Sequence, residues 1–173
     1  MKVEAKLKEM GLTVPNLEDL YRTNASGAHY ISHFPVQGML FLSGTVPIKD
    51  GKPYLPGVVG ENLTPEQGYE AARYAALTTL AAVKHALGDL DRVDQIVHMT
   101  GFVNSSPGFN DQPRVINGAA DLLVAIYGER GTPTRAAIGC RGLGGNASVE
   151  IIVQLLFSGT DVRPPLARDH FAR

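Results

Sequence analysis

Between Thr64 and Gly88 the apolar residues return at intervals of three and four: Ala72, Ala76, Leu80, Val83 and Leu87 form one stripe, the mark of a helix with one buried face. Thr64, Pro65 and Gln67 stand as N-cap, first helical residue and capping-box partner, and Gly88 falls where a left-handed C-cap belongs. The small residues on this stripe imply a close approach to whatever packs there. A second helix is expected after the Ser/Pro/Gly/Asn loop from Asn104 to Pro113, reaching about Tyr127 with Val115, Ala119, Leu122 and Ile126 inward and Gly128 ending it. A short helix over 3–10, with Val3, Leu7 and Met10 at helical spacing and Gly11 and Pro15 as stops, reads as peripheral.

The remaining pattern is that of strands. From His29 to Pro47 it gives Tyr30 and Ile31, a break near Pro35, then Met39-Leu40-Phe41-Leu42 running into Ser43-Gly44; four adjacent apolar residues predict a strand covered on both faces. Lys49-Asp50-Gly51-Lys52 supplies a turn, with a further short strand before Pro56. Val93 to Val103 reads as a strand, as do Arg135 to Cys140 and Ser148 to Phe157, the last two separated by Gly142-Leu143-Gly144-Gly145-Asn146. The order is that of an α+β layer in which two helices cover one face of the sheet. In the last strand Val149, Ile151, Val153, Leu155 and Phe157 point one way, while Ile152 and Leu156 share the other face with Glu150 and Gln154. A second face with that apolar content implies an oligomer interface.

Composition narrows the class. At 173 residues the chain is read as one domain, with a core over 28–158, an N-terminal extension 1–27 and a C-terminal tail 159–173. Lys and Arg total 16 against 17 Asp and Glu, a net charge of −1, and they are scattered; no basic stripe for nucleic acid is present. One cysteine, Cys140, excludes an internal disulfide. With neither a signal-peptide pattern nor an apolar run long enough to span a bilayer, the expected setting is the cytoplasm, away from membrane.

Several chemistries drop out. The sequence has no GxxxxGK[ST] loop, no HExxH and no GxSxG elbow, and the glycines at 142, 144 and 145 lie between strands, where they make a turn rather than a nucleotide cradle. His29 and His33, four apart on an extended chain, stand roughly 13 Å from each other, too far for easy chelation, so no metal is expected. Cys140 reads as a buried structural thiol, and His85 and His98 as ordinary helix and sheet residues. Arg135 and Glu150 remain, on consecutive strands whose pairing would bring them together. Two readings stay open: a silent salt bridge, or a clamp in which Arg135 offers its fork to a ligand carboxylate while Glu150 orients or deprotonates a water.

Arg135-Ala136-Ala137-Ile138-Gly139, then Leu143, then Val149-Glu150-Ile151 resemble the C-terminal signature of the Rid (YjgF) family, including an arginine-to-glutamate spacing of fifteen. Leu42-Ser43-Gly44-Thr45-Val46-Pro47 is similar to that family's strand ending in Ser-Gly-x-x-Pro, with Tyr30 thirteen residues before Ser43. The resemblance implies a chorismate-mutase-like fold of the bacillus type, a mixed sheet with both helices on one face, and a homotrimer whose sheets form a central barrel. Active members hydrolyse 2-imino acids and their enamines to 2-keto acids and ammonia without a cofactor. By the same resemblance Arg135 would clamp the carboxylate, Glu150 would activate water, and Tyr30, Ser43, Gly44, Asn117 and Ala137 would line the cleft. Ala137 stands where deaminating members often carry cysteine, and Leu143-Gly144 replaces a usual Leu-Pro turn. The alternative is a non-catalytic protein that binds a small carboxylate. A ribonuclease fits poorly without a basic patch, and a chorismate mutase would want more cations than Arg135 and Arg141 supply.

Overall fold

The computed structural model describes residues 2–23 and 29–167. Helix α1 (Lys2–Glu9) and helix α2 (Leu17–Thr23) precede a hairpin of β1 (His33–Val36) and β2 (Met39–Leu42), then a small hairpin of β3 (Ile48–Lys49) and β4 (Lys52–Pro53). Helix α3 (Pro65–Leu87), strand β5 (Val93–Asn104), helix α4 (Gln112–Tyr127), strand β6 (Thr134–Cys140) and strand β7 (Val149–Phe157) complete the order.

Local chemistry fixes α3 as the pattern predicts. The Thr64 side chain accepts from the Gln67 N–H while the Gln67 side chain accepts from the Thr64 N–H, and Gly88 closes the helix in the left-handed conformation, its N–H bonded to Lys84 O. Helices α3 and α4 approach so closely that a Cβ on Gly118 would overlap the Tyr69 carbonyl; only glycine admits this contact. The first hairpin turns at Gln37 and Gly38, both with positive φ, rather than near Pro35, which lies inside β1.

The main sheet runs β1-β2-β7-β5-β6. Strand β7 lies antiparallel to both β2 and β5, and β5 lies parallel to β6. The sheet is thus mixed, with α3 linking β4 to β5 and α4 linking β5 to β6. Its helix-facing side holds Leu40, Leu42, Ile96, Met99, Val103, Ile151, Val153 and Leu155, all buried in one cluster with α3 and α4.

Three expectations change. Strand β2 is covered on one face within the chain: Leu40 and Leu42 are buried, whereas Phe41 stands 38% exposed, because the helices reach only one side of the sheet. Helix α1 is integral rather than peripheral, since Val3 and Leu7 belong to the core cluster and the N–H groups of Lys2 and Val3 are held by the Asp91 carboxylate. Helix α2, absent from the pattern reading, is capped by Asn16, whose side chain accepts from the Asp19 N–H.

The segment after Ser158 also returns to the body. Ser32 and Leu166 exchange bonds, Ser32 N–H to Leu166 O and Leu166 N–H to Ser32 Oγ, and Ala167 bridges Ile31. Arg92 holds the same stretch from below through the carbonyls of Ser158 and Asp161. Residues 168–173, like 24–28 of the expected extension and core boundary, lie outside the described residues.

Candidate active site

Strand β7 starts at Val149, so Glu150 emerges at the end of the sheet beside the exit of β2, where Thr45 and Ile151 exchange backbone hydrogen bonds. That pairing lays Gly44 directly against Glu150: a Cβ on residue 44 would overlap Glu150 Oε1. A side chain at position 44 would therefore push the carboxylate out of the place it holds. Glu150 is half-buried, burial raises its pKa above the ordinary carboxylate value, and among the described residues it has no hydrogen-bond or ion-pair partner.

Around this carboxylate lies a cleft of about 690 Å³. Tyr30, Ser43, Gly44 and Glu150 all line it, so four of the residues read from the sequence meet in one place. Ser43 Oγ donates to Ile31 O at 2.6 Å, which ties the β2 exit to the stretch before β1. The Tyr30 ring meets Tyr21 edge to face, centroids 6.3 Å apart. The cleft walls also include residues the sequence reading passed over: Leu17, Leu20 and Tyr21 from α2, Tyr54 after β4, and Thr78 and Ala82 from α3. A signal for α2 was present in Asn16 followed by Glu18 and Asp19, a cap with an acidic first turn.

Arg135 lies elsewhere. It pairs with Met99 across the β5–β6 ladder, whereas Glu150 pairs with Phe102 across the β5–β7 ladder. Strand β5 thus intervenes, and an offset of three residues puts the two side chains on opposite faces of the sheet, with Cα atoms roughly 14 Å apart from strand spacing and rise. The expectation that the two strands pair and bring Arg135 to Glu150 is corrected for the single chain; no salt bridge joins them. The guanidinium instead donates from Nη1 to Asn117 Oδ1 on α4 at 2.7 Å. Ala137 shares the Arg135 face of β6 and packs against the core. The seven candidates thus divide into a Glu150 group with Tyr30, Ser43 and Gly44, and an Arg135 group with Asn117 and Ala137.

Two of the histidines have structural partners. His33 bonds through Nδ1 to Ser32 Oγ and through Nε2 to Arg163 O. His98 bridges Thr134 and Thr100. Cys140 is partly rather than fully buried, and desolvation raises its pKa, which disfavours the reactive thiolate. Among the described residues no group of His, Cys, Asp and Glu could hold a metal, and no helix is long and apolar enough to cross a membrane.

With this geometry in place, the relatives are informative. Residues 4–153 match the family model described as "YjgF/chorismate_mutase-like, putative endoribonuclease", and the chain belongs to this YjgF (Rid) family. It is similar to Protein TCP17 of Trypanosoma cruzi, 37% identical over 151 residues, which span 87% of this chain and 91% of that protein. Among solved structures it resembles the protein Atu1372, of unknown function, from Agrobacterium tumefaciens (36% identity, TM-score 0.81, 90% of this chain and 92% of the other). It also resembles a structure from Shewanella oneidensis MR-1 named as a "putative endoribonuclease" (29% identity, TM-score 0.83, 91% and 100%). The α+β fold with its mixed sheet is that of YjgF/chorismate-mutase-like structures.

Proposed function

We propose that the chain hydrolyses 2-imino acids, or the enamines that tautomerise to them, to 2-keto acids and ammonia. The clefts that do so are completed in a homotrimer, where the Arg135 edge of one copy meets the Glu150 cleft of the next. The observation that carries this reading is the Glu150 carboxylate: half-buried, lying on Gly44, unpartnered among the described residues and raised in pKa by burial. A desolvated carboxylate of that kind is a stronger base than an exposed one and is suited to taking a proton from water.

The steps follow from the chemistry of the imine. The Arg135 fork, steadied at Nη1 by Asn117, holds the substrate carboxylate in two parallel hydrogen bonds. Water adds through oxygen to the imine carbon as Glu150 takes one of its protons, and the C=N pair of electrons moves onto nitrogen. The proton returns from Glu150 to that nitrogen to give the carbinolamine; Glu150 then carries the carbinol O–H proton to the same nitrogen, the C–N bond breaks, and ammonia leaves as the oxygen closes to the ketone. No electron is gained or lost overall, so the reaction calls for no redox cofactor. A positioned base contributes about 10² to 10⁴ in rate.

The apolar open face of the sheet supports assembly. Phe34, Val36, Phe41, Ile138 and Leu156 are each more than a third exposed, and strand register sets them on the side away from the helices. Exposed apolar side chains gathered on one face of a sheet are a common mark of an interface. Conversion of freshly generated 2-iminopropanoate to pyruvate and ammonia tests the proposal, with wild type, Arg135→Ala and Glu150→Ala compared at equal concentration. Acceleration by wild type and its loss in both variants are expected; a folded wild type that leaves the spontaneous rate unchanged would overturn the reading.

A further inference from the structure

We infer that the Glu150 cleft selects a ligand with a bulky apolar side chain, branched aliphatic or aromatic, in preference to a three-carbon acid. The reaction assigned to that ligand rests on the deaminase reading; the size selection rests on the cleft itself. In the single chain the space measures about 690 Å³, in the middle of the range of clefts that take a ligand of many heavy atoms, and a three-carbon acid beside Glu150 would leave much of it to water even after the next copy's edge has closed one side.

The walls set the polarity of what fills that space. Apart from tyrosines, Glu150 is the one ionisable group among the described lining residues. Leu17, Leu20 and Tyr21 close one side from α2, while Ile48 and Tyr54 close another from the small hairpin. An anionic side chain would find no counter-charge there and would lose its hydration.

The aromatic walls are held in place from behind. The Tyr54 ring lies against Tyr74, centroids 4.4 Å apart, and Lys49 Nζ sits over both rings at 4.9 and 5.2 Å from their centroids. On the other side Tyr21 meets Tyr30 edge to face. Walls fixed in this way form a standing pocket, so a bulky ligand gains by displacing water from apolar surface without reordering the site.

The experiment measures two things on the intact chain. Imines are generated from L-alanine, L-leucine and L-phenylalanine by an amino-acid oxidase, and the catalysed rate is ranked as kcat/KM. Affinity for pyruvate, 4-methyl-2-oxopentanoate and phenylpyruvate is measured by calorimetry. Since each buried methylene is worth about fourfold, the two larger members of each series are expected to exceed the smallest by at least tenfold.

Gly144 lines the cleft, and a Cβ there would meet nothing within 4 Å, so Gly144→Phe narrows the space without a backbone clash. It is expected, together with Tyr54→Ala, to reduce the preference several-fold, read as the ratio of the affinities for the two larger keto acids to that for pyruvate. Equal or better handling of the smallest member in both series would overturn the inference, as would a preference unchanged in both variants. Keto-acid affinities that rank by size while no imine is accelerated would uphold the selection and remove the deaminase reading, so the two failures are distinguishable.

Discussion

The two faces of the main sheet are built from alternate residues of the same strands yet end in different states. Along β7, Val149, Ile151, Val153 and Leu155 are at most 1% exposed, packed beneath α3 and α4. Their neighbours Glu150, Ile152, Gln154 and Leu156 remain partly open to solvent. The contrast extends to the ionisable groups. His33, on the helix-covered face opposite Leu42, has both ring nitrogens bonded; Glu150, on the open face, has no partner within the described chain. The covered face is finished by the chain itself, and the open face mixes exposed apolar side chains with polar ones such as Gln154 and His98, as suits a surface that meets another copy.

Breaking the covered face should have the largest effect. Leu80, 1% exposed, lies in the core cluster, and Leu80→Ala is expected to lower the unfolding free energy by about 2–5 kcal/mol, read from urea denaturation. The same class of lesion on the open face should act on assembly instead. Phe41→Arg is expected to preserve the helical circular dichroism while sedimentation shifts toward the monomer. An unchanged sedimentation coefficient would mean that the open face is not the interface.

The two ionisable groups sharpen the comparison through their pH dependence. Burial raises the folded-state pKa of Glu150, so the favourable neutral form is fully present below the ordinary carboxylate value and is lost as pH rises through the raised one. At neutral pH its charge is a cost, and Glu150→Gln should raise Tm in calorimetry while abolishing imine hydrolysis. In the wild type the rate should fall as pH drops through the raised Glu150 pKa, because the protonated carboxyl cannot take a proton from water.

His33 has the opposite sign. Desolvation, partly offset by its bond to Arg163 O and reinforced by His85 nearby, lowers its pKa. Its neutral form contributes fully above the ordinary value of 6.5 and that contribution is lost as pH falls through the lowered, folded-state value. His33→Gln should flatten the slope of the urea midpoint across that acid window. The midpoints of the two proteins should change in parallel if the bonded ring has no such role.

What could be read in advance follows the range of the interactions. The boundaries of α3 were legible because Thr64, Pro65, Gln67 and Gly88 act within a few residues of one another. The facing of β7 was legible because alternation has a fixed period. Pairing order was less so: Arg135 and Glu150 flank a short glycine-rich connection, yet the α4 crossover makes β6 a parallel neighbour of β5, as a strand–helix–strand unit favours. Strand β7 then pairs on the far side of β5. The closing segment carries no apolar period at all; it is held by backbone bonds to Ser32 and Ala86 and by Arg92, contacts that hydropathy does not record. Of the candidate site, Tyr30, Ser43, Gly44 and Glu150 line one cleft, whereas the division into a Glu150 group and an Arg135 group depends on that non-local pairing.

The most direct test of a cleft shared between copies is to mix two inactive variants. Arg135→Ala and Glu150→Ala chains, unfolded together and refolded as mixed oligomers, should regain imine hydrolysis. In such oligomers about a quarter of the interfaces would join an intact Arg135 edge to an intact Glu150 cleft, as random assembly through a head-to-tail interface requires. Recovery near that fraction of the wild-type rate is the result the account predicts. Mixed oligomers that form, as mass measurement would show, yet stay as inactive as either parent would contradict it and place the two residues in separate roles.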